Sequence, residues 1–278
     1  MVLSNRALSI VAATLLASAG AKAADLPSPR EPLPPPPSLQ ASDPWSGPWL
    51  GIYGGYGFAR PGGSFDVTGD PNDVTPAIRS QVDGSGAGAI SASGFLGGVQ
   101  GGWNLRLSTD VVVGVEADIG YAGLRGGRVG GGTIPAPYNA PYSISQHYST
   151  DWQAAVRARA GYLINPATLL FVEAGPAFGA MRYGASFGDY IPAAKYSEFE
   201  NASANAVKVG LTLGVGFEYL IGPNLSLRAE YLYTRFPSMN MTGVSNPLIP
   251  VPAPGYVAHS SGALNQNSFR VGLNYLLR

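Results

Sequence analysis

The chain has 278 residues, 17 basic and 17 acidic, with 38 glycines, 15 tyrosines and no cysteine. A zero net charge argues against a nucleic-acid partner, and the missing cysteine excludes a disulfide scaffold or a thiolate metal site. Few charges with many glycines and aromatics suit alternating strands that show apolar side chains to lipid and small ones to a narrow lumen.

In chain order, Arg6 precedes a largely apolar run from Ala7 to Ala17 and a small-x-small site at Ala21-Lys22-Ala23. This predicts a signal peptide over residues 1–23, cleaved after Ala23. No cysteine follows the site, so a lipoprotein is not expected, and no later stretch of about 18 uncharged apolar residues predicts a membrane-crossing helix. Residues 24–47 hold eight prolines, Pro27, Pro29, Pro32, Pro34 to Pro37 and Pro44. Missing amide donors and a polyproline preference keep this stretch out of a sheet, so it reads as a periplasmic tether.

From residue 48 to 278 the chain alternates apolar and polar residues in eight segments: 49–59, 94–107, 111–124, 151–164, 168–183, 206–221, 225–236 and 267–278. Each is about the length a tilted strand needs to cross an outer membrane. Tight turns at Ser108-Thr109-Asp110, Asn165-Pro166-Ala167 and Gly222-Pro223-Asn224 alternate with long connections at about 60–93, 125–150, 184–205 and 237–266. Short turns on the periplasmic side and long outer loops are the pattern of outer-membrane barrels. The expected fold is all-β, an eight-stranded antiparallel up-and-down transmembrane β-barrel with both termini in the periplasm.

A soluble barrel of the lipocalin type also has eight up-and-down strands, and the facing of the residues separates the two. Val207, Val209, Leu211, Leu213, Val215, Phe217 and Tyr219 form an unbroken apolar row, repeated by Leu225, Leu227, Ala229, Tyr231 and Tyr233. Opposite them, glycines alternate with Lys208, Glu218, Arg228 and Glu230, which suits a narrow polar interior better than a solvated exterior. The closing SFRVGLNYLLR shows Phe269, Val271, Leu273, Tyr275 and Leu277 on one face, the expected barrel-assembly signal.

By the same parity Arg106, Arg157, Arg159, Arg228 and Arg270 face inward with Glu116, Asp118, Glu173, Glu218 and Glu230, five charges of each sign. Eight strands leave room only for side chains, so these are expected to pair and plug the lumen. The alternative is a selective pore in which the arginines favour anions. Two His-x-Ser pairs, His147 with Ser149 and His259 with Ser261, echo the spacing of outer-membrane lipid A deacylases, but both fall in expected loops. No cofactor, metal or enzymatic site is predicted.

The segments WLGIYGGYGFA, GFLGGVQGGWN, VVGVEADIGYAGL, DWQAAVRARAGYLI with LLFVEAGPAFGA, VGLTLGVGFEYLI, NLSLRAEYLYTRF and the closing FRVGLNYLLR, in this order after a proline-rich stretch, resemble the alphaproteobacterial outer-membrane surface antigens of the porin-like, opacity-type barrel superfamily. The resemblance implies a surface-exposed barrel in the cell outer membrane that supports envelope integrity and meets the environment or host through its loops. It also implies outer-membrane lipid, lipopolysaccharide and the barrel-assembly machinery as partners. Members described as hemin-binding proteins or small porins keep those two alternatives open. The Leu277-Arg278 ending departs from the aromatic close usual in the family, but Tyr275 keeps the parity, so assembly is expected to proceed. Tyr138, Tyr142, Tyr148, Tyr190, Tyr196 and Tyr256 fall in the expected loops, where they suit either ligand stacking or ordinary packing.

Overall fold

The computed structural model describes residues 43–62, 64–68, 75–136, 139–191, 196–238, 241–244, 257–261 and 264–277. The chain divides into Met1–Ala41 and Ser42–Arg278, and all described residues belong to the second unit. The expected signal peptide, and the proline-rich segment as far as residue 42, lie outside them.

The strands are β1 (Gly47–Pro61), β2 (Ser64–Thr68), β3 (Ala92–Arg106), β4 (Val111–Ala122), β5 (Arg125–Ile134), β6 (Ala140–Asn165), β7 (Thr168–Ile191), β8 (Tyr196–Leu220), β9 (Leu225–Phe236), β10 (Met241–Val244), β11 (Val257–Ser261) and β12 (Leu264–Leu276), with one helix, α1 (Pro76–Gly86). Eight of them close a ring in the order β1-β12-β9-β8-β7-β6-β4-β3, sealed by antiparallel pairing of β1 with both β3 and β12. These are the eight strands that the alternation predicts. The three tight turns join β3 to β4, β6 to β7 and β8 to β9.

The sheet closes tightly because small residues sit where neighbouring backbones approach. A Cβ on Gly175 would lie 1.9 Å from the Val156 carbonyl oxygen of the next strand, so only glycine leaves β6 and β7 paired there. Outward alternation holds along the ring: the row Val207 to Tyr219 is 46–59 % exposed, while Thr212 between them is 1 % exposed. Among the described residues no helix is long and apolar enough to cross a membrane, and the strands carry the apolar exterior.

The four long connections are not plain loops. The first holds β2 and α1, the second holds β5, and β10 and β11 fall in the fourth and form with β2 a small separate sheet in the order β10-β11-β2. The third is the continuation of β7 and β8, which stay in register from Thr168↔Tyr219 to Ile191↔Tyr196. The helix α1 starts on Pro76, whose fixed φ suits a first helical position, and is capped by Thr75, whose Oγ1 accepts the Ile78 amide at 3.4 Å. Its Ile78 and Val82 pack against Tyr142, Ile144 and Phe187.

Candidate functional site

The lumen is filled by side chains in layers. At the periplasmic end Trp45, Val112, Leu163 and Leu169 make an apolar seal, with the Trp45 indole N–H donating to the Pro166 carbonyl at 2.9 Å. Trp45 belongs by sequence to the proline-rich segment, yet it lies inside the barrel mouth. At the outer end a second apolar cluster includes Ile90, Leu96, Leu124, Met181, Tyr183 and Phe236.

Between the two lies the charged layer. Arg157 from β6 meets Glu116 at 2.7 Å and Asp118 at 2.8 Å, both from β4, and Glu173 of β7 at 3.3 Å. Arg228 from β9 meets Glu116 at 2.7 Å, Glu173 at 2.7 Å and Glu230 at 2.5 Å. Arg270 from β12 reaches Asp118 at 2.9 Å, and Arg159 pairs with Glu218. Glu218 also accepts from the Ser226 hydroxyl at 2.5 Å and from the Asn274 amide at 3.0 Å. The Phe171 ring lies under two guanidiniums, 4.1 Å from Arg159 and 4.5 Å from Arg228, and the Tyr53 ring lies 4.5 Å from Arg270. Next to this layer, uncharged polar pairs continue the filling: Gln153 and Gln266 exchange two amide hydrogen bonds at 2.6 and 3.0 Å, and Gln100 donates to Asn274 at 2.7 Å.

Nine of the ten inward charges read from the sequence are thus buried together. Arg106 is the exception and corrects the expected balance. Its parity is inward, but it ends β3 at the periplasmic mouth, 30 % exposed, where it pairs with Asp43 at 3.0 Å and donates to the Thr109 carbonyl. Among the described residues the closed layer therefore holds four arginines and five carboxylates, not five of each. Carboxylate oxygens of Glu116, Glu173 and Glu230 lie within 4.8 Å of one another, and the guanidiniums of Arg157 and Arg228 occupy the position a cation would take among them. Sequence reasoning missed the aromatic and aliphatic seals, whose signal is apolar residues of inward parity at the strand ends, Val112, Leu163, Leu169 and Phe236 among them.

On the outside, Phe269, Val271, Leu273, Tyr275 and Leu277 all face away from the lumen, 39–58 % exposed. His147 and Ser149 do not lie in a loop. They sit on the outward face of β6, His147 against Gly184, and no hydrogen bond joins them to each other among the described residues. His259 lies on β11, with its side chain outside the described residues. Of the tyrosines read as loop residues, Tyr142 and Tyr148 are buried, Tyr142 stacking with Phe187 at 6.0 Å and sharing a 2.7 Å hydrogen bond with Ser85. Tyr190 is exposed, and Tyr138, Tyr256 and the side chain of Tyr196 lie outside the described residues.

A closed eight-stranded ring with an apolar exterior and a polar filling is joined by one further observation: a model of the outer membrane protein β-barrel domain matches residues 9–275. The chain belongs to this family. Its relatives among outer membrane β-barrel proteins include the 31 kDa outer-membrane immunogenic protein of Brucella melitensis, 30 % identical over 234 residues that cover 83 % of either chain. The 25 kDa outer-membrane immunogenic protein of the same organism is 27 % identical over 97 % of each chain. A 22 kDa outer membrane protein of Rhizobium leguminosarum is 30 % identical over 145 residues, 52 % of this chain and 54 % of that one. Among solved structures, OprG of Pseudomonas aeruginosa aligns with 84 % of this chain and 97 % of its own, at 12 % identity and a TM-score of 0.42. The protein is a transmembrane β-barrel of the outer membrane, similar to outer-membrane antigens.

Proposed function

We propose that this outer membrane β-barrel protein is a non-conducting structural barrel, exported with cleavage after Ala23, that supports the envelope and presents folded outer connections at the surface without catalysis. The observation that carries this reading is the charged layer, in which each of Arg157, Arg159 and Arg228 is about 1 % exposed and ion-paired, with Arg228 of β9 reaching across the lumen to Glu116 of β4. Side chains of eight strands suffice to fill such a barrel, and buried apolar clusters lie on either side of the charged layer. A water-filled pore would need its charges on the wall, facing a continuous aqueous column.

Planar-bilayer recording of the purified protein tests this. Silence at potentials where general porins conduct is expected, and reproducible unitary openings would sink the proposal in favour of a small porin. Hemin titration with Soret detection, expected to show no saturable shift, addresses the other alternative.

A further inference from the structure

The exterior changes character abruptly at one height. On β7 the outward residues from Leu170 to Ala180 are apolar or small, a span of roughly 25 Å along the membrane normal for a tilted strand, and the next outward residue is Arg182. The same step occurs at Arg60 after Phe58 on β1, at Arg125 beyond Tyr121, and at Arg235 after Tyr233 on β9. All four arginines are exposed, and on the other strands this tier carries Ser93, Asn205 and Asn265. Asp151, beside Trp152, is its one carboxylate among the described residues. Among the described residues the lower edge of the apolar exterior carries no outward arginine: Leu50, Leu107, Val111, Ile164, Tyr219 and Ile221 run down to it instead.

The arginines are also grouped. Register places Arg125, Ser149 and Arg182 side by side on three consecutive strands, and Arg60, Asn265 and Arg235 likewise on the far side of the ring. Each unit is two guanidiniums flanking a small polar residue, with backbones about 10 Å apart, a separation that lets both side chains converge on one anion. The first unit opens on a cleft of ≈ 580 Å³ lined by Arg125, His147, Ser149, Asp151 and Arg182. Arg125 has no ion pair among the described residues, and Arg182 has only the exposed Asp151 at 2.6 Å, a pair of small intrinsic worth.

We propose that these two arginine units are binding sites for the phosphate groups of a phosphorylated glycolipid in the outer leaflet, held at the height where its headgroup meets the acyl chains. Planar guanidiniums bind phosphate through paired charge-assisted hydrogen bonds. The one-sided placement matches a bilayer whose anionic phosphates are concentrated in one leaflet, and an apolar wall directly below receives the acyl chains. This rests on the membrane placement of the barrel and is independent of whether the lumen conducts.

The test uses the full mature chain refolded into phosphatidylcholine vesicles with bis-phosphorylated lipid A, with dephosphorylated lipid A, or with neither. Phosphorylated lipid A should raise the barrel's unfolding temperature, and dephosphorylated lipid A should not. In R125Q/R182Q the affinity of that unit should fall by about thirtyfold, from about 1 kcal/mol for each basic group near an anionic surface, leaving the smaller shift due to the other unit, and in the variant carrying R60Q and R235Q as well the shift should vanish. R125K/R182K, which keeps the charge without the planar fork, should recover only part of it. Each variant should unfold as the wild type does in plain phosphatidylcholine, which separates lost binding from lost folding. A quadruple variant that keeps the full shift would overturn the proposal. So would an equal shift in plain vesicles from inorganic phosphate or a heparin fragment, which would assign the arginines to a soluble anion.

Discussion

Glu218 is held by three polar side chains. Arg159, the Ser226 hydroxyl and the Asn274 amide all address its carboxylate, and Asn274 is itself fixed by Gln100. Removing the carboxylate takes from the buried Arg159 guanidinium the ion-pair partner it has among the described residues, with the rings of Phe171 and Trp49 left against it. Glu218→Ala is therefore expected to destabilise the barrel by about 3 to 5 kcal/mol, read from urea unfolding in lipid vesicles by intrinsic fluorescence. Glu218→Gln, which retains an acceptor for Ser226 and Asn274, should unfold at a higher urea concentration than the alanine variant. Equal stability of wild type and Glu218→Ala would mean that water reaches the layer. Parity alone places Glu218 and its eight buried companions on the inner face. It carries no information on depth, which is why Arg106, on the correct face but at the last position of β3, reads in sequence as a member of a layer it never meets.

Along the strands, the alternation from Ala206 to Ile221 is legible because every second residue is large and apolar while its neighbours are small or polar. β5 is not legible. Its sequence, RGGRVGGGTI, offers five glycines and no contrast between faces, and it forms by pairing with the upper part of β6 from Arg125↔Ser149 to Ile134↔Ala140. The helix α1 is hidden for a related reason: only Ile78 and Val82, four residues apart, mark its buried side. Where the pattern is strong it makes a sharp test. Leu211 is 57 % exposed and Thr212 is 1 % exposed, with its hydroxyl 3.1 Å from that of Thr234. Leu211→Arg should lower stability by about 2 to 4 kcal/mol, whereas Thr212→Ser keeps the hydroxyl and should be close to neutral. Urea titration in vesicles reads both, and equal losses would overturn the facing of β8.

The ring as a whole is uneven in height. β6, β7 and β8 have 26, 24 and 25 residues, whereas β4 and β9 have 12 each, so one side of the barrel rises well above the membrane. Replacing Gly188–Phe199 by a two-residue Asn-Gly turn would join the register partners Phe187 and Glu200. The shortened protein is expected to insert and to keep its heat-modifiable mobility on gels, because the layers that fill the lumen lie below the cut. Loss of the folded band would show that the tall hairpin helps build the barrel.

The charged layer has a kinetic consequence. Arg157 meets Glu173 within the β6–β7 hairpin and Arg228 meets Glu230 on one strand, but Arg228 and Glu116 are 112 residues apart and Arg270 and Asp118 are 152 apart, so no single hairpin completes the layer. A half-inserted chain would hold guanidiniums and carboxylates in hydrocarbon short of their full set of partners, and only the last seam, β1 against β12, brings them all together. Partial insertion is thus penalised at every stage before closure, which makes entry into the membrane an all-or-none event and leaves unfinished barrels free to withdraw.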